Sequence, residues 1–171
     1  MKIGIIYGTR RKEATVQIVA WLKAALEEKG FIVVTGKPKE FQNFDCDGYI
    51  VGTAVYAFSI RWTRILNFLK AKQDQFQQKP LATFIVHGYT DPKKQLNNIS
   101  KQLPSEPVTQ AVFKGYYNEV EFRNWDSNAQ KSKAVEWATE IEMKFSNIWK
   151  NLTKKSEEIN ILTEPSVIQP K

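Results

Sequence analysis

Short apolar runs alternate along the chain with longer stretches whose apolar residues recur every three or four positions. Residues 3–7, 31–35, 49–53, 81–86 and 111–117 are the apolar, β-rich runs, and each predicts a strand. Between the first two, residues 14–29 place Ile18, Trp21, Leu22, Ala25 and Leu26 at helical spacing, and Gly30 closes that helix. Residues 61–76 repeat the pattern with Ile65, Leu66, Phe68 and Leu69 facing inward. Asp91-Pro92 has the N-cap and first-turn proline that start a further helix. A last helix, from Ser127 to Leu152, carries Val135, Ala138, Ile141, Phe145, Ile148 and Leu152 along one stripe. Strands separated by helices predict a three-layer α/β domain. Its five-stranded parallel sheet has right-handed crossovers and helices on both faces. The domain is expected to span residues 1–152, leaving 153–171 as a polar, loosely ordered tail with Pro165 and Pro170.

The chain has 171 residues, 42% of them hydrophobic and 25% charged. That suits one soluble domain burying roughly 70% of its unfolded surface. No apolar run approaches the ~20 residues that cross a bilayer, and the run after Met1-Lys2 is too short for a signal peptide. A cytoplasmic protein is expected. The single cysteine, Cys46, excludes an internal disulfide and a cysteine-based metal cluster. Asp45 and Asp47 beside it read as turn and capping residues rather than metal ligands. The net charge of +7 suits an anionic partner. The basic residues are spread along the chain without an aromatic–basic motif, so no nucleic acid is expected.

In a sheet of this class, ligands bind beyond the carboxyl ends of the strands, near the point where strand order reverses. The loops that matter are therefore 8–14, 54–60 and 87–91. The first joins a strand to a helix N-terminus, where unpaired N–H groups and the helix dipole favour an anion. Thr9 and Thr15 add hydroxyls, and Arg10, Arg11 and Lys12 add charge. The loop lacks both the Gly-Lys-Ser/Thr ending of a triphosphate loop and the G-x-G-x-x-G dinucleotide pattern. A single phosphate group is left as the occupant, against the alternative of a solvated basic connection. In "VGTAVYAFSIRW" small residues let a flat ring approach the backbone and Tyr56 can cover its face. Alternatively, Tyr56, Phe58 and Trp62 pack the following helix. His87 is the one histidine, and no G-x-S-x-G elbow accompanies it, so no hydrolytic triad competes.

"IGIIYGTRRKEAT" followed by "FDCDGYIVGTAVYAF" resembles the flavodoxin family, over roughly residues 1–150. The resemblance implies a flavodoxin-like fold with strand order 2-1-3-4-5, and FMN as cofactor. In that family the first loop wraps the FMN phosphate, the loop after strand three hydrogen-bonds the isoalloxazine ring, and the loop after strand four flanks its other side. Carried onto this chain, the phosphate would meet Thr9, Arg10, Arg11, Lys12, Ala14 and Thr15. The ring would meet Thr53, Ala54, Val55, Tyr56 and Ala57, with His87, Gly88 and Tyr89 on the far side. Within the family, the chain is similar to the short type that includes menaquinone-dependent protoporphyrinogen dehydrogenase. The strand-Thr-Arg start, the Tyr and Arg after strand three, and the tryptophan-bearing "FRNWDSNAQ" carry that likeness. The departures are a first loop without glycine after Thr9 and one residue longer, Tyr56-Ala57 where a glycine often stands, and a basic rather than acidic composition.

The resemblance implies an FMN-binding redox protein, either an electron carrier or an oxidoreductase, that meets a redox partner protein or a quinone. Two alternatives stay open. One is a quinone-linked, protoporphyrinogen dehydrogenase-like enzyme; the other is a flavodoxin-like binding module that has lost FMN. Trp137 and Trp149, with the lysines around them on the last helix, suit a peripheral contact at the inner face of a membrane or an acidic redox partner, against the alternative of a docked helix with a solvated basic face. One cation ~10 Å from the ring, at an effective dielectric near 20, would raise a one-electron potential by roughly 70 mV. Arg10, Arg11 and Arg61 are the candidates.

Overall fold

The computed structural model describes residues 1–9, 14–41, 45–56, 59–60, 62–88, 91–116 and 119–163. The apolar runs of the three inner strands are continuous because those strands are covered on both faces, whereas the two edge strands, 32–36 and 109–114, alternate buried and exposed positions. β1 (Lys2–Gly8) buries Ile3, Ile5 and Ile6 completely. It pairs in parallel with β2 (Ile32–Gly36) on one side, Lys2 opposite Ile32, and with β3 (Gly48–Tyr56) on the other, Gly8 opposite Thr53. β4 (Ser59–Ile60) folds back antiparallel on the end of β3. β5 (Leu81–His87) pairs with β3, and β6 (Thr109–Lys114) pairs with β5. The order β2-β1-β3-β5-β6 is the expected 2-1-3-4-5, with the two-residue β4 added at the side.

Helices cover both faces. α1 (Ala14–Glu28) and the long α6 (Ser127–Thr163) share one face, where Ile18, Leu22, Ile141 and Phe145 pack on Ile3, Ile5 and Phe84. α2 (Trp62–Ala71), α3 (Gln73–Phe76) and α4 (Pro92–Ser100) cover the other, with Ile65, Leu69, Phe76 and Ile99 against Ile6, Val51 and Ile85. Local signals set the ends of these helices. Gly30 takes φ +86°, and the amides of Gly30 and Phe31 donate to the carbonyls of Glu27 and Leu26, the glycine-closed helix end the sequence predicts. The Asp91 carboxylate accepts from Lys93 N at 3.0 Å and Lys94 N at 3.4 Å, which caps α4 ahead of Pro92.

Tertiary packing corrects three sequence expectations. The helix over 61–76 is broken at Lys72, which leaves helical geometry so that Phe76 drops into the core against Tyr49, ring centroids 4.7 Å apart. The last helix does not stop at Leu152 but continues to Thr163, through the start of the expected tail; the first helix-breaking residue downstream is Pro165. Its inward stripe is rotated as well. Ala134, Trp137, Ala138, Ile141 and Phe145 are buried, while Val135 and Leu152 are more than 40% exposed. Trp137 is therefore a core residue, and of the two proposed membrane-facing tryptophans only Trp149 is exposed. Among the described residues no helix is long and apolar enough to cross a membrane. A short helix, α5 (Glu119–Arg123), precedes Trp125, which stacks on Trp21 of α1 with ring centroids 5.9 Å apart.

A polar chain fastens α6 to β6. The Trp137 Nε1–H donates to Thr109 Oγ1 at 3.0 Å, and that hydroxyl donates to Glu140 Oε1 at 2.8 Å. Lys144 Nζ completes the chain at 2.7 Å from the same carboxylate and 2.9 Å from Val108 O. Lys144 beside Glu140, with help from Thr109, holds the Glu140 carboxyl below the usual carboxylate range. A depressed carboxyl stabilises the fold above its unfolded pKa and loses that contribution as pH falls through the folded value. Thermal midpoints measured between pH 7 and pH 3 are expected to fall less steeply for Glu140→Gln than for the wild type. Parallel curves would mean that the contact contributes nothing.

Candidate functional site

The sheet order reverses between β1 and β3. The chain leaves β1 for α1 on one face and leaves β3 for α2 on the other, so a crevice opens at their carboxyl ends. The Thr53 hydroxyl, fully buried, donates to Gly8 O at 3.3 Å and ties the two strand ends together. Thr53, Ala54 and Val55 are all buried and bring the end of β3 level with the end of β5, where Val55 lies opposite His87. His87 is half-buried, and its carbonyl accepts the Gly115 amide at 2.8 Å. Among the described residues, a β-carbon added at Gly88 would meet no atom within 4 Å.

Ala14 and Thr15 are the first two residues of α1 and are 8% and 2% exposed. The Ala14 methyl lies on the Gly115 side, 3.7 Å from where a β-carbon of Gly115 would stand. What α1 offers outward at this end is thus its backbone. Its first turn, from Ala14 onward, carries no carboxylate, although Glu13 directly precedes it in the sequence. Thr9 follows β1 directly and is half-buried. Of the residues expected to form the site, Thr9, Ala14, Thr15, Thr53, Ala54, Val55, His87 and Gly88 are placed at this edge, as is the backbone of Tyr56. Arg10, Arg11, Lys12, Ala57 and Tyr89 lie outside the described residues, as do Phe58 and Arg61.

Several residues not singled out in the sequence stand beside this edge. A cleft of about 420 Å³ runs between the β2–β3 connection and α2, with Gly8 and Thr9 at one end. Lys37, Pro38, Lys39 and Glu40 form one side, and Arg64, Ile65, Asn67 and Phe68 the other. Tyr7 also lines it. Burial, reinforced by the nearby Glu40, pushes the Tyr7 phenol above its usual pKa, so it stays neutral. The "GKPKE" turn was the signal available for these residues, but as sequence it shows only a strand break. At the opposite end of the sheet, Cys46 is buried and its thiol is pushed up to about 11 by that burial. Asp47 Oδ2 accepts Lys2 N at 2.6 Å, and Asp45 pairs with Lys2 Nζ at 2.9 Å. These carboxylates pin the start of β1, the turn role expected of them.

The family model described as "Flavodoxin domain" matches residues 5–139. No curated protein matches the chain by sequence. Among solved structures, oxidised flavodoxin 1 from Bacillus cereus is 13% identical with a TM-score of 0.60, the match covering 84% of this chain and 98% of that one. Fusobacterium nucleatum flavodoxin bound to flavin mononucleotide is 18% identical with a TM-score of 0.56, over 84% and 98% of the two chains. A flavo di-iron protein from Thermotoga maritima, also 18% identical, has a TM-score of 0.59 over 84% of this chain and 36% of its own.

Proposed function

This chain belongs to the flavodoxin family, and on that premise we propose that it is an FMN-binding redox protein whose cofactor lies at the carboxyl edge of β1, β3 and β5. The observation that carries this is the meeting, at the switch point, of the N-terminus of α1 with the small-residue end of β3 and the end of β5 at His87 and Gly88. The donors fit the cofactor's two ends. First-turn amides of α1, from Ala14 and Thr15 onward, suit a phosphate, with Thr9, Arg10, Arg11 and Lys12 completing the loop. The backbone of residues 53–57 suits one edge of a flat ring, and His87, Gly88 and Tyr89 its other side. When bound, FMN supplies one- and two-electron transfer. The chain's own residues bind the phosphate, orient the ring and shield part of it from water. The net charge of +7 favours an acidic redox partner over a basic one.

The test is an anaerobic reductive titration of the FMN-loaded protein followed by reoxidation. Flavin absorbance is expected to bleach and return while the flavin stays with the protein, at a potential above that of acidic flavodoxins. Flavin released on reduction, or protein that never takes it up, would favour a binding module without FMN.

A further inference from the structure

We propose that the cleft between the β2–β3 connection and α2 is a second ligand site, for a small organic acid with its anionic group on a flat apolar body. Parallel strands are usually joined by a crossover helix. Between β2 and β3, no helix is present among the described residues. Phe41, 3% exposed, instead anchors the connection to the core, and the first turns of α2 are left facing the Lys37 turn across the cleft. Its volume, about 420 Å³, lies within the ~300–1,000 Å³ of small-molecule sites.

The lining selects the ligand class. Lys37 and Lys39 on one side and Arg64 on the other outnumber the single carboxylate of Glu40. Neither Lys37 nor Arg64 forms an ion pair among the described residues, although Glu40 lines the same cleft. Phe68, half-buried, supplies an apolar surface between them, over the buried Ile65. Cations on two sides of an apolar floor match a carboxylate or sulfonate attached to a ring, with Arg64 able to engage it through two N–H groups. At Thr9 the cleft adjoins the site proposed for the cofactor phosphate, but the two centre on opposite faces of the sheet. That group is assigned to the N-terminus of α1, which packs on one face of the sheet, whereas α2 and the cleft lie on the other. The inference rests on the cleft itself and does not require FMN.

8-Anilinonaphthalene-1-sulfonate has this chemistry and reports its own binding by fluorescence. It is to be titrated into the full chain with and without FMN. Saturable one-site binding is expected in both, weakened about tenfold or more by Lys37→Glu combined with Arg64→Glu, since charge-assisted contacts contribute ~1.5–3 kcal/mol each. Both side chains reach solvent, so the fold tolerates the change. Lys131→Glu combined with Lys133→Glu, on an exposed stretch of α6, makes the same change in net charge and should leave binding as it was. FMN uptake should be equal in all three proteins. Absence of a saturable site, equal weakening by both pairs, or unaltered binding in the cleft variant would each overturn the proposal. So would competitive displacement by FMN, which would make the cleft part of the cofactor site.

Discussion

Replacing Trp137 by alanine is expected to lower the stability of the fold by about 4 kcal/mol, the middle of the range for truncating a buried aromatic. The indole is 4% exposed and sits between Phe84 and Phe113, with ring centroids 6.0 Å from each. Phe84 in turn lies so close to β3 that a β-carbon at Gly52 would stand 2.0 Å from its ring. The void left by the indole therefore opens directly onto the central strands. Alanine also strands the Thr109 hydroxyl, which loses its donor while still bonded to Glu140. Thermal unfolding should move down by roughly 8–16 °C for a chain of this size. Trp137→Phe separates the two losses. It keeps most of the ring contact and removes one hydrogen bond, so a fall of about 1–2 kcal/mol is expected. An alanine variant that unfolds within a degree or two of the wild type would show that α6 is not seated on the sheet through this residue.

FMN is expected to bind at least about a hundredfold more tightly than riboflavin, which differs from it by the phosphate alone. Two charge-assisted hydrogen bonds at ~1.5 kcal/mol each are enough for that factor. The first turn of α1 offers its amides, and Arg10, Arg11 and Lys12 lie just upstream in the sequence, where they outnumber Glu13. The difference should shrink as salt is added, because exposed cations are screened while the ring contacts are not. Comparable affinities for the two flavins would mean that the loop after β1 does not hold the phosphate, whatever the ring does.

The layers of the sheet could be expected from the chain because apolar runs separated by amphipathic helices dictate a parallel sheet covered on both faces, and its order was implied by the resemblance to the flavodoxin family. The position of the site followed from that order, since the switch point depends on topology and not on side-chain detail. Gly30 and the Asp91-Pro92 pair were readable for a similar reason, each acting on its own backbone neighbours. What escaped depends on contacts between distant segments. The stripe of α6 held at Ala138, Ile141 and Phe145 but was set through Val135 because hydropathy ranks valine above alanine, yet α1 packs tightly enough to select Ala134. Trp137 looked amphipathic until its N–H met Thr109 on the neighbouring strand. The break at Lys72 exists only because Tyr49, on β3, receives Phe76. The cleft beside α2 had no sequence signal beyond "GKPKE", since it exists where a crossover shows no helix among the described residues.

The measurement that tests the account most directly is the visible absorbance of the purified protein after incubation with excess FMN and removal of unbound flavin by desalting. Flavin bands retained at close to one FMN per chain are the predicted result, and they place an anionic flavin on this basic member of the family. A colourless protein that gives up all added FMN would contradict it, and the carboxyl edge of the sheet would then belong to some other ligand.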